Sequence, residues 1–144
     1  MENKDTIYLL KECDAGSKMA VTSIHEVLDR VSSGEMQILL TESKKHHEKL
    51  GNELHSMLNE EGAAEKEPSA IAKGMSWIKT NVKMGMDGSD ATIADLIVDG
   101  CDMGIKSLYR YLNQYPAAEK EAKEICKRLI SIEEELRKGL YDYL

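Results

Sequence analysis

Four side chains in this sequence combine metal-binding chemistry with helical spacing: Asp14, His47, Asp102 and Glu133. Carboxylate oxygens and an imidazole nitrogen are donors that divalent Fe, Mn and Zn accept. Each of the four belongs to a series of positions spaced three and four apart, which is one face of an α-helix. If those faces turn inward, four ionisable groups enter the core. Charge there is costly unless it is paired or bound to metal. One reading is a site for a single divalent cation held by all four. The other is an internal hydrogen-bonded network, with Lys18 and Lys106 pairing with the acids four residues before them and Lys44 reaching inward.

The segment His47-Glu48-Lys49-Leu50-Gly51 admits a second chemistry. Histidine phosphotransfer bundles carry a lysine three residues and a glycine four residues after the reactive histidine. Here Gly51 stands at four but Lys49 at two, and His47 falls on the core face, where no partner could reach it. Cysteines 13 and 101 could form a redox pair, but each precedes an aspartate, which raises a thiol pKa rather than lowering it. The plain reading is two small buried residues. An odd count of three cysteines without close pairs makes neither a disulfide framework nor a zinc motif.

Helices must position these residues. The first inward series runs Ile7, Leu10, Asp14, Ser17, Val21, Ile24, Leu28 and Val31, with Asp5-Thr6 as a candidate N-cap. Ser32 and Glu35 have the spacing of a capping box. They start a second helix whose series is Met36, Leu40, Ser43, His47, Leu50, Leu54 and Met57. Gly62 is placed to end it. Pro68-Ser69 opens a shorter stretch with Met75, Trp77, Ile78 and Met84. Ser89 or Asp90 caps the next helix, with Asp95, Val98, Asp102, Ile105, Tyr109 and Leu112 inward. Pro116 suits the first turn of the last helix, which carries Ala122, Cys126, Leu129, Glu133, Leu136, Leu140 and Tyr143. The expected fold is all-α, a single domain. It has a helical hairpin over about 5–61, a crossover helix over about 69–85 and a second hairpin over about 89–143.

The two hairpins look like copies. Cys13-Asp14-Ala15-Gly16-Ser17-Lys18 and Cys101-Asp102-Met103-Gly104-Ile105-Lys106 agree at four of six positions at an offset of 88. The second and last helices match in spacing at an offset of 86, with Leu50/Leu136 and Leu54/Leu140 identical. A duplication with an approximate internal twofold is expected. Gly16 and Gly104 lie mid-helix, where each costs about 1 kcal/mol relative to alanine, so a close approach of the crossover helix or of a second subunit is expected there.

With two hairpins and one long connection, the chain resembles the ferritin-like bundles. More narrowly, it is similar to a bacterial ferritin-like family of uncharacterised function, distantly related to rubrerythrins. The resemblance rests on Asp14-x-Gly16, on Lys73-Gly74-Met75-Ser76-Trp77-Ile78, and on Asp99-Gly100-Cys101-Asp102 with Lys106 and Tyr109. It implies a dimetal centre, with a glutamate on each of two helices and a Glu-x-x-His on the other two. The matching positions hold Asp14, Lys44/His47, Asp102 and Ile130/Glu133. A lysine and an isoleucine replace two carboxylates, so the expected centre is degenerate. It would hold at most one divalent ion weakly and would not be a ferroxidase.

The remaining composition narrows the class. The 144 residues are 42% hydrophobic and 31% charged, which is globular. A net charge of −7 argues against nucleic acid as a partner. No apolar run approaches a membrane span, and the first residues lack the pattern of a secretory signal. The expectation is a cytoplasmic protein, leaning away from enzymes. It would be a homodimer, with the tyrosines at the helix ends forming an end-cap or the dimer contact, or would dock on another protein; a purely structural role is the remaining alternative.

Overall fold

The computed structural model describes residues 3–63 and 88–144. Four α-helices carry most of them: α1 (Lys4–Leu28), α2 (Gly34–Glu60), α3 (Asp90–Gln114) and α4 (Lys120–Leu140). A short 3-10 turn, Tyr141–Tyr143, follows. The described residues contain no strand. None of their helices is long and apolar enough to cross a membrane.

Side-chain caps start three of the helices. The side chains of Asn3, Ser33 and Ser89 accept from the backbone N–H three residues on, at 3.1, 3.2 and 3.2 Å. The caps therefore sit at Asn3 rather than Asp5-Thr6, and at Ser33 rather than Ser32. A short polar side chain one or two positions away serves equally well in sequence, and the entering backbone decides between them. Gly62 (φ 68°) closes α2 as expected. The N–H of Ala63 reaches the carbonyl of Leu58, and that of Gly62 reaches Asn59, the paired bonds of a Schellman motif. Pro116 lies in the turn before α4, four residues ahead of Lys120.

Cross-turn hydrogen bonds fix how the helices run. At one end, Asp5 Oδ2 accepts from Ala117 N, Thr6 Oγ1 accepts from Glu119 N, and Asn3 Nδ2 donates to Ala117 O, all within 2.9 Å. The start of α1 thus sits on the α3–α4 turn. At the other end, the Asp90 carboxylate accepts from the N–H groups of Ser32 and Ser33 at 2.8 and 2.9 Å. The start of α3 thus sits on the α1–α2 turn. α1–α2 and α3–α4 are antiparallel hairpins, and α1 runs antiparallel to α3. α2 leaves the bundle at one end and α3 enters at the other, so the connection joins opposite ends. The expected crossover helix, with Trp77 and its neighbours, lies outside the described residues.

α1 packs on α2 and α3, α4 packs on α2 and α3, and α1 also touches α4. The core falls into two apolar clusters. One holds Leu10, Leu50, Leu54, Cys126 and Leu129. The other holds Ile24, Met36, Leu40, Ile97 and Leu136. His47 and Glu133 belong to neither and occupy the waist between them.

The α2 and α4 series face inward at every position from Met36 to Leu54 and from Ala122 to Leu140. The α3 series does not. Its buried residues include Ala94, Ile97, Cys101, Ile105 and Leu108, whereas Asp95, Asp102 and Tyr109 are exposed. The true face lies about one residue from the expected one. α3 has apolar residues on both sides of that line, and the side without carboxylates packs because a buried carboxylate must find a partner.

Candidate functional site: a buried histidine and glutamate at the bundle waist

α2 and α4 each deliver one polar side chain to the waist. His47 is fully buried and Glu133 is 7% exposed. His47 Nε2 lies 2.7 Å from Glu133 Oε1. The other ring nitrogen, Nδ1, lies 2.8 Å from the carbonyl oxygen of Ser43, one turn back on α2. A carbonyl can only accept, so Nδ1 carries a proton and donates it. The proton between Nε2 and Oε1 then sits on one partner or the other. In either arrangement the pair is neutral as a unit, which lets two ionisable groups share a low-dielectric interior. His47 and Glu133 also hold matching positions in the two helical spacing series, at an offset of 86.

Cys101 on α3 borders the same carboxylate. Burial and the negative charge of Glu133, together with the thiol's hydrogen bond to Glu133, push the Cys101 thiol pKa far up. Gly104, one turn on, completes the fit: a Cβ there would stand 3.9 Å from the Glu133 carboxylate carbon and Oε2. Beyond Gly104 a groove of about 370 Å³ opens between α1 and α3, with Glu133 and Cys101 among its walls.

Asp14 and Asp102 do not join this centre. Asp14 is buried, and its carboxylate meets Lys18 Nζ at 3.1 Å along α1. Asp102 is on the surface, where Arg137 Nη1 donates to it at 2.9 Å. Its inward placement is thus overturned by the phase of α3. Lys106, its expected partner, is exposed as well. Lys44 does not reach inward; its Nζ lies 3.2 Å from His25 Nδ1 at the surface. Ile130 is a core residue. Among the described residues, no three His, Cys, Asp or Glu side chains converge as a cation site.

The donors therefore do not fit the dimetal centre that the resemblance implies. His47 and Glu133 bond each other instead of facing a common point, and no second carboxylate bridges to them. A phosphotransfer role fits no better, because both nitrogens of His47 are occupied and the ring has no exposure.

Cys13 and Cys101 are two buried residues, as in the plain reading, and do not form the redox pair considered as its alternative. Cys13 lies in the first core cluster, against Cys126, and Cys101 lies in the second. A hydrogen bond to Cys126, followed by burial, raises the Cys13 thiol pKa, and the same bond lowers that of Cys126. All three thiols are buried and free. A thiol reagent such as Ellman's should label none of them rapidly in the native protein and all three in guanidinium. A fast-reacting thiol in the native state would contradict this burial.

Sequence reasoning placed His47 and Glu133 inward but missed that they touch. Their equal offset marks matching positions but carries no distance. The Cys101 contact and the groove carried no signal, because both depend on the phase of α3. Comparison of the chain with protein-family models, curated proteins and solved structures finds no match.

Proposed function

We propose that this chain is a ferritin-like bundle whose core centre is closed by a proton-sharing His47–Glu133 pair. On this reading it acts as a binding module and not as an oxidation catalyst. The observation that carries it is the 2.7 Å contact between Nε2 and Oε1, with Nδ1 already committed to Ser43. Two ligands of one tetrahedral ion with bonds of about 2.0–2.1 Å stand roughly 3.3 Å apart. A cation would have to prise the pair open, and among the described residues no third His, Cys, Asp or Glu converges with them on one point. The two antiparallel hairpins joined end to end support the ferritin-like assignment. Three free, buried thiols suit a reducing, cytoplasmic setting.

The test is thermal unfolding of chelator-treated protein with excess Mn, Fe(II) or Zn. The midpoint should not move, because only a ligand bound to the native state raises it. A concentration-dependent rise that persists in His46→Ala and disappears in Glu133→Gln would restore the single-cation centre and overturn this reading.

A further inference from the structure

We propose that the groove between α1 and α3 binds a small apolar molecule carrying one ammonium group, with the cation resting against Glu133. This rests on the binding-module reading and names the ligand class.

The groove exists because both facing helices present small residues. Ala15, Gly16 and Ala20 come from α1, and Gly100, Gly104 and Ser107 from α3. Its volume of about 370 Å³ lies in the range of small-molecule sites, roughly 300–1,000 Å³. Most of its wall is apolar, which suits an alkyl or aromatic body. Its ionisable character is one-sided. Glu12 and Glu133 both border it, and no Lys, Arg or His is among its described lining residues.

Glu133 gives the groove its chemistry. Its side chain is 9% exposed, and Oε1 is committed to His47. Oε2 lies on the Gly104 side, where the groove opens. Attraction between charges strengthens as water is excluded, so a carboxylate in such a wall discriminates more sharply than one on the surface. An anionic ligand would face Glu12 and the outer oxygen of Glu133, with no Lys, Arg or His among the described lining residues to receive it. A neutral ligand could fill the apolar part but would gain nothing from Glu133. An ammonium group meets the negative end of the His47–Glu133 pair and a hydrogen-bond acceptor, with Glu12 on the same wall.

Calorimetric titration of the full chain with hexylamine, 1-hexanol and hexanoate tests the proposal, because the three probes share one body and differ in charge. Hexylamine should bind at least about tenfold more tightly than hexanol, a margin of about 1.4 kcal/mol, and hexanoate should show no binding. Glu133→Gln should bring amine and alcohol to equal affinity. Gly104→Leu, which keeps a good helix former on α3, should abolish binding of both. Equal affinity for amine and alcohol in the unaltered protein overturns the cation assignment and leaves the binding-module reading standing. Binding unaffected by Gly104→Leu places the ligand elsewhere and overturns the proposal. Failure of all three probes to bind overturns the proposal and removes the groove as support for the binding-module reading.

Discussion

Replacing either His47 or Glu133 alone with leucine is expected to destabilise the protein by about 2–4 kcal/mol. The double replacement should cost far less than the sum. Each single change strands a polar group at the waist. In Glu133→Leu, His47 keeps its Nδ1–H on Ser43 but loses the partner of Nε2, and with no exposure it has no water to turn to. In His47→Leu, the Glu133 carboxylate loses the group that shares its proton and keeps only its contact with Cys101 and the edge of the groove. The histidine variant should therefore be the milder of the two. Removing both leaves leucines between two leucine-rich clusters, a chemistry the neighbouring core already uses. Urea unfolding of the four proteins gives the coupling energy directly, and a value above about 1 kcal/mol is expected for residues in contact. Costs that add within about 0.5 kcal/mol would show that the 2.7 Å contact contributes nothing.

How far the sequence revealed this arrangement differs from helix to helix. α2 carries a narrow apolar stripe interrupted by Ser43 and His47, and α4 one interrupted by Glu133, so spacing alone placed His47 and Glu133 inward. α3 is apolar over most of its circumference near Ile93, Ala94, Leu96, Ile97 and Val98. Periodicity cannot choose a phase in such a stretch. The expected series through Asp95, Asp102 and Tyr109 is about one residue out. The identity between the repeats is real, but it fixes side-chain type and not burial. Asp14 finds Lys18 within its own helix, whereas Asp102 finds Arg137 across a surface seam. The His47–Glu133 contact lay beyond reach for another reason. Two residues on different helices can both point inward without meeting, and only the separation and twist of α2 and α4 bring them together.

Where the duplication does preserve burial, it makes a symmetric expectation about stability. Leu54→Ala and Leu140→Ala should each cost about 3–5 kcal/mol in urea unfolding, the range for leucine truncation in a core that cannot collapse around the void. The two leucines are repeat equivalents and both are fully buried. They anchor opposite halves of the core, Leu54 with Leu10 and Leu129, and Leu140 with Met36 and Leu40. Because they share no cluster, their effects should add. The combined loss of about 6–10 kcal/mol approaches the whole stability of an ordinary domain, about 5–15 kcal/mol. The double variant should then lack a cooperative transition at 25 °C or show one only just above zero denaturant. Tyr109→Ala serves as the control: it was expected inward but is 51% exposed, so its cost should stay within about 0.5 kcal/mol. A cost under about 1 kcal/mol for Leu140→Ala would mean that the end of α4 frays despite its burial. Equal large costs for the leucines and a small one for the tyrosine are what a bundle symmetric in α2 and α4, but not in α1 and α3, requires.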